Sequence, residues 1–462
     1  MKVAVVGSGY VGLVTGTGLA AVGHEVTCID SDPARVARIR EGRAPFHEPG
    51  LDALLGEQLQ KGQLQITDDL EAGLAESEIS FLAVGTPSLA SGAIDLRYLR
   101  SAVSDVGALL PSLPDHHVVV VKSTVVPGTT TTAVRPLLAR QAGRPVERVR
   151  VCANPEFLRE GSAVEDFLHP DRIVVGGSDE AAIDLLRALY APFACPFLAM
   201  GPEDAELTKY ASNALLATLI SFSNELAGIA EGLRGTDVET VLAGLRLDRR
   251  LSPVIGEERI EPGILDYLRA GSGYGGSCLP KDLAALRAFA DASGCGTPLL
   301  DAVHAVNAAR PVQLLGALEQ EIGCLQGRRL AVLGLAFKPS TDDLRDSPAT
   351  RVVELLLARG AHVRGYDPLV RAFAPTRSPG RFELCRSAAE AVEGSDAALL
   401  ATAWPEFRAA DWPALSRSMR GPVLVDARGA LRGIRLPQRL RYRPVGRAPR
   451  VVGAAHPEAG RS

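Results

Sequence analysis

Residues 274 to 282 read YGGSCLPKD, a cysteine set between glycines and a serine on one side and a proline, a lysine and an aspartate on the other. Cys278 stands just ahead of the run PKDLAALRAFA, where Pro280 suits the first turn of a helix. A helix N-terminus and the neighbouring Lys281 both favour the thiolate, the form of cysteine that attacks a carbonyl carbon. A cysteine used as a small apolar filler suits Cys28 or Cys195 and fits poorly at 278. Two more pairs share the four-residue spacing of Cys278 and Asp282: Lys209 with Asn213 in KYASN, and Glu156 with Glu160 in NPEFLREG. If each segment is helical, each pair faces one way. Taken alone, Lys209 and Asn213 read as a solvated helix face.

A second chemistry is written at the N-terminus. Gly7, Gly9 and Gly12 form G-x-G-x-x-G after the strand-like KVAVVG and at the mouth of a helix, and Asp30 follows Gly12 by 18 residues at the end of the next strand. Bare glycines let the backbone approach a pyrophosphate, the helix start supplies N–H groups, and the carboxylate takes a ribose 2′-hydroxyl. That carboxylate repels a 2′-phosphate, so NAD is expected over NADP, with Arg35 either bracing the adenosine side or keeping NADP open.

Strand-like runs at 79–85, 117–124, 149–155 and 172–177 alternate with helical stretches, as in a mostly parallel doubly wound sheet. Residues 203–232 keep a helical apolar pattern over a length that suits a domain connector or a subunit contact. A second α/β pattern follows at 328–338, and RGAHVRGYDPLV echoes VGHEVTCIDSDP. With 462 residues and 46% hydrophobic content the chain can bury a large core. A net charge of −4 gives no reason to expect nucleic acid or an anionic membrane. Seven cysteines without a CxxC pair argue against a zinc cage or a disulfide framework, so no metal and a reducing cytoplasm are expected. The N-terminus enters a strand at once, which predicts neither export nor membrane insertion.

GSGYVGL, VKSTVVPGT, NPEFLREGSAVEDFLHPDRIVVG, YGGSCLPKD and FKPSTDDLRDSP occur in this order, and with them the chain resembles the nucleotide-sugar 6-dehydrogenases from residue 1 to about 430. The resemblance implies an α/β fold of two Rossmann-like domains joined by a long central helix, in a homodimer. It implies an NAD-binding domain at 1–198, a helical dimerisation region carrying the cysteine at 199–305, a nucleotide-sugar domain at 306–445, and a disordered tail at 446–462. The implied reaction takes the sugar C6 alcohol to a carboxylate with two NAD, the aldehyde staying on the enzyme.

The same resemblance implies roles. Cys278 attacks the aldehyde, Lys209 and Asn213 support the oxyanion, Asp282 and Thr124 position a water, and Glu160 serves the hydrolysis. Cofactor contacts fall on Gly7, Gly9, Tyr10, Val11, Gly12, Asp30, Arg35, Gly85, Thr86, Thr124, Glu160, Lys281 and Arg345. Substrate contacts fall on Glu156, Phe157, Leu158, Arg159, Glu160, Lys209, Asn213, Tyr267, Leu268, Arg269, Ala270, Gly271, Gly275 and Lys338. APFHEPGLDALL favours UDP-glucose as substrate; Leu279 after the cysteine keeps GDP-mannose second, and UDP-N-acetylmannosamine is third. A nucleotide-sugar binding protein without turnover is the reading from another class, and a two-electron 3-hydroxyacid dehydrogenase has no use for Cys278.

Overall fold

The strand Lys2–Val6 (β1) buries its last four residues, because a strand covered on both faces becomes a continuous apolar run. At Gly7 the backbone turns through φ +96°, a conformation open chiefly to glycine, into the helix Tyr10–Ala21 (α1). A Cβ on Gly12 would run into the carbonyl oxygen of Gly7, so the helix seats against the turn only because that side chain is missing. The strand Glu25–Ile29 (β2) then returns parallel to β1.

Six more strands complete this sheet: Leu64–Thr67 (β3), Ile79–Leu82 (β4), Val118–Val121 (β5), Arg150–Ala153 (β6), Ile173–Gly176 (β7) and Phe197–Met200 (β8). Their order is β3-β2-β1-β4-β5-β6-β7-β8. β7 meets β6 antiparallel at Ala153 and Gly176, and β8 runs parallel to β7, so the doubly wound sheet carries two reversed strands at one edge. Alternate residues sort into two cores, Val3, Val5, Val118 and Val120 on one face and Ala4, Val6, Val119 and Val121 on the other. Three helices matter for the chemistry: Ala163–Leu168 (α2), the 30-residue Pro202–Glu231 (α3), and Leu279–Ala292 (α4).

This computed structural model describes residues 1–376 and 379–448 and divides into two compact units. The first comprises Met1–Leu215, Lys281–Pro298 and Ser340–Asp342; the second comprises Leu216–Pro280, Leu299–Pro339 and the described residues of 343–448. The tail expected to be disordered lies, from 449 on, outside the described residues.

In the second unit residues 254–259 form a small hairpin of Val254–Ile255 (β9) and Glu258–Arg259 (β10) turning at Gly256. The helix Pro298–Ile322 (α5) leads to a sheet of Arg329–Leu333 (β11), His362–Tyr366 (β12), Phe382–Leu384 (β13), Ala397–Leu400 (β14), Val423–Asp426 (β15) and Arg441–Pro444 (β16). The helix Pro348–Ala358 (α6) joins β11 to β12. Its order, β13-β12-β11-β14-β15-β16, repeats the first six positions of the first sheet, and every pair is parallel.

The echo read in the sequence is therefore a structural repeat. Gly7 N donates to Ile29 O at 2.8 Å and Gly334 N to Tyr366 O at 2.7 Å, both glycines at positive φ, and Asp30 and Asp367 each follow the second strand. The two carboxylates differ in use. Asp367 accepts from the amides of Leu335 and Ala336 and from Trp404 Nε1, so the second turn closes on itself where the first keeps a glycine cradle.

Candidate functional site

In the first unit the glycine turn fits a dinucleotide. A Cβ on Gly9 would meet nothing within 4 Å, and α1 begins there without a side-chain cap, so its first N–H groups are left for an anion. Asp30 Oδ2 accepts from Ser8 N at 2.8 Å, Ser8 Oγ at 2.7 Å and Arg35 Nη1 at 2.9 Å, and Oδ1 from Asp32 N at 3.0 Å. Burial opposes its ionisation, but these donors win and hold the carboxyl below its ordinary value of 3.8. Arg35 is thus engaged by Asp30. Gly85 is exposed, and Thr86 Oγ1 donates to the Thr124 carbonyl at 3.0 Å.

The Asp30 geometry carries a prediction. Asp30→Ser removes the ribose acceptor and releases Arg35, so KM for NAD should rise about tenfold or more while KM for NADP falls, as initial rates with both will show. The depressed carboxyl stabilises the fold fully above pH 3.8 and ceases to do so as pH falls below it. Asp30→Ser should therefore lose less stability than the parent between about pH 4 and pH 2, followed by circular dichroism.

Lys209 and Asn213 lie one turn apart on α3, and both are buried, so they form no solvated face. Lys209, 3% exposed, places Nζ 3.0 Å from Glu156 Oε1. Asn213 Nδ2 donates to Asp282 Oδ2 at 2.6 Å, and Lys281 Nζ to Asp282 Oδ1 at 2.6 Å. Lys281 is therefore turned to Asp282, in the first turn of α4.

The expectation that Glu156 and Glu160 share a helix face fails: residues 154–159 are irregular, and α2 begins only at Ala163. The irregular backbone lets Glu156 reach Lys209 while its Oε2 accepts from Leu158 N at 2.6 Å. Arg159 pairs with Asp166, and Arg172 lies 4.0 Å over the Phe157 ring. Behind this segment is a cavity of about 180 Å³ reaching Lys122, Asn154 and Tyr190.

Lys122 shares this neighbourhood and was not foreseen from the sequence. It is buried, donates to Asn154 Oδ1 at 2.9 Å, and burial pushes its pKa down to about 8, with Glu156 pulling upward and Lys209 pushing further down. Glu156 thus sits in the field of two lysines. The only sequence signal was a lysine next to a run of four valines, HVVVVKST, where solvent cannot follow.

In the second unit Cys278 is half-buried and directly precedes α4, with Ser277 Oγ at 3.5 Å from its sulfur. The helix start favours a thiolate here. Elsewhere burial raises Cys28 and Cys152 to about 12 and Cys385 to about 11, while Cys295 and Cys324 are exposed beyond the ends of α4 and α5. Cys195, expected as a filler, is only half-buried.

The motif glycines serve the packing of the chain itself. A Cβ on Gly275 would strike the Asp346 carbonyl oxygen, and one on Gly276, at φ +82°, would lie 2.8 Å from the Phe337 ring. Their need is steric and internal, a reason other than close approach of a ligand. Gly276 N donates to the carbonyl of Arg345, whose guanidinium pairs with Asp343. Lys338 Nζ lies 5.6 Å from the centre of the Phe337 ring.

Along residues 267–271, Leu268 and Ala270 are buried while Arg269 is exposed and paired with Asp266. Gly271 is held by Asn224 and Arg310, and the half-buried Arg428 guanidinium, lowered to about 10 by desolvation, donates to the Phe337 carbonyl. Arg428 was not legible in the sequence, since an arginine in VDARG carries no mark of burial. Among the described residues, Glu383, Cys385 and Glu390 bring three possible metal-ligand atoms together, but Arg364 already neutralises Glu383 at 2.9 Å.

Sequence models of the UDP-glucose/GDP-mannose dehydrogenase family match as its NAD binding domain over residues 1–194, its central domain over 203–309 and its UDP binding domain over 331–433. The chain belongs to this family. It is similar to a UDP-glucose 6-dehydrogenase of Pseudomonas aeruginosa, 44% identical over 442 residues that cover 93% of each chain. A UDP-glucose dehydrogenase structure from Pyrobaculum islandicum superposes with a TM-score of 0.86 at 39% identity, over 97% of this chain and 98% of that one. A GDP-mannose dehydrogenase structure from Pseudomonas aeruginosa gives 0.53 at 31%, over 96% and 100%.

As a member of this dehydrogenase family the chain uses NAD, and the open Gly9 cradle and the Asp30 carboxylate fit that cofactor. Its UDP binding domain marks a nucleotide sugar as the ligand class. Among the described residues no helix is long and apolar enough to cross a membrane.

Proposed function

We propose that this chain oxidises UDP-glucose at C6 to UDP-glucuronate in two hydride transfers, the second made from an adduct on Cys278. The observation that carries the reading lies in the first unit: Lys209 and Asn213 on α3, with Asp282 in the first turn of α4 bonded to Asn213; in the chain, Cys278 directly precedes that helix. The choice of sugar rests on the relatives, since those named for UDP-glucose are nearer in sequence than the one named for GDP-mannose.

Bound NAD supplies the hydride acceptor for each oxidation. Glu156 to Glu160, Tyr267 to Gly271, Gly275 and Lys338 hold the nucleotide sugar, and the Gly7 to Gly12 turn, Asp30, Arg35, Gly85, Thr86, Lys281 and Arg345 hold the cofactor. In the first oxidation Asp282 and Thr124 position the water that takes the C6 hydroxyl proton, while the Lys209 ammonium, with Asn213 beside it, stabilises oxyanion character. The Cys278 thiolate then adds to the aldehyde carbon. Loss of the second hydride turns this thiohemiacetal into a thioester. Water attacks the thioester with its proton passing to Glu160; the C–S bond breaks and the thiolate is restored.

Purified protein should release two NADH per UDP-glucose, with GDP-mannose and UDP-N-acetylmannosamine as slower alternatives. One NADH per sugar removes the four-electron reading, and binding without NADH from any of the three favours a non-catalytic protein. We also infer a homodimer: Leu215, Phe222 and Ile229, exposed by 50%, 46% and 56%, recur every seven residues along α3 and form one apolar stripe. A single-chain mass by light scattering excludes it. Seven cysteines without a CxxC pair suit the cytoplasm, which cell fractionation checks.

A further inference from the structure

Glu48, in HEPG, lies outside every site residue named above and is 6% exposed. Its carboxylate joins two distant parts of the first unit through three donors. Oε2 accepts the Tyr10 hydroxyl and Gly161 N, the latter at 2.6 Å, and Oε1 accepts Ala163 N at 2.7 Å. Tyr10 is the first residue of α1, next to the Gly9 cradle, and its ring packs at 4.7 Å on Phe46. Gly161 follows Glu160 directly, and Ala163 is the first residue of α2, whose own Ser162 makes no side-chain cap.

We propose that Glu48 is a positioning residue that ties the cofactor turn to the Glu160 loop, so that cofactor binding and acyl-enzyme hydrolysis depend on one buried carboxylate. The inference rests on the dehydrogenase reading given above. The Glu160 loop is fixed from two sides. Glu48 holds the Gly161 amide, and Gly161, at φ +82°, packs so closely that a Cβ would lie 3.1 Å from the Ser340 carbonyl oxygen. On the other arm, burial and then the bond to Glu48 keep the Tyr10 phenol protonated far beyond its ordinary range, so it donates at every working pH. Glu160 also acts on that phenol electrostatically, which places the two glutamates and the tyrosine in one neighbourhood.

The arrangement suits a four-electron reaction. Cofactor must exchange while the sugar stays on the enzyme, and the base for hydrolysis is needed only after the second oxidation. A shared anchor keeps the two arms in register through that exchange. Buried hydrogen bonds to a charged group are strong, and removing their acceptor strands two backbone amides and a phenol together.

The test compares Glu48→Gln and Tyr10→Phe with wild type, using NAD and UDP-glucose. An amide at 48 sets an N–H against one of these donors. Glu48→Gln should raise KM for NAD about fivefold and slow hydrolysis about tenfold, so that acyl-enzyme accumulates in the intact mass, while the first hydride transfer at saturating NAD stays within about twofold. Tyr10→Phe should raise KM for NAD alone. A Glu48→Gln protein with a lower Tm but wild-type KM and no acyl-enzyme overturns the proposal. If that variant does not fold, Glu48→Asp, with the charge kept and one methylene lost, should show the same split in weaker form, and its absence likewise overturns it. Failure of the underlying reading looks different, because then wild type itself yields no NADH.

Discussion

Cys278→Ser is expected to lower steady-state turnover about a thousandfold while the first oxidation survives. Serine keeps the place ahead of α4 and the helix dipole, but its hydroxyl ionises far less readily than a thiol of ordinary pKa about 8.5. The second oxidation therefore starts from a poorer nucleophile and ends in an ester, which water opens more slowly than a thioester. NADH should appear as a burst of at most two per site and then stall, with the sugar acyl group retained in the intact mass. The buried thiols are poor substitutes, since burial holds Cys28 and Cys152 near 12 and Cys385 near 11. Wild-type turnover by this variant would remove Cys278 as the nucleophile.

What could be read from the sequence was what the chain writes locally. β1, the glycine turn, α1 and β2 are contiguous, so strand pattern, positive-φ glycine and terminal carboxylate all lie within the first 30 residues. The same holds for α3 and for α4 with its proline at the second position. The reversal of β7 was not legible, because a strand buried on both faces shows the same apolar run in either direction. Nor was the hairpin at 254–259, whose two-residue strands are too short for any period to register.

The site divides along the same line. Asp30 with Arg35, and Asp282 with Lys281, are near neighbours in sequence. Glu156 was read at helical spacing from Glu160, yet its partner is Lys209, 53 residues on and reached only because the segment after β6 is irregular. Glu48 is separated by 113 residues from the loop it anchors, and Lys122 gave no sign that it would share the field of Glu156. Such pairings follow from which strands become neighbours, and a single chain of letters does not state that.

The second large effect should come from Lys209→Met, and it separates catalysis from stability. Loss of the ammonium should lower kcat by about two to three orders of magnitude, since no other donor on this face of α3 carries a charge to the developing oxyanion. It also strands Glu156 in a buried place, which typically costs about 3–5 kcal/mol for a broken buried pair. The loss should fall at or below that range, because Lys122 remains in the field of the same carboxylate and would no longer feel the repulsion of Lys209. Adding Glu156→Gln removes the stranded charge. Tm, read by calorimetry, should then recover most of its drop while kcat stays low, because the amide repairs the burial of charge and returns no cation to the sugar. A kcat that recovered together with Tm would instead make Lys209 a structural partner of Glu156 and leave the oxyanion to another group.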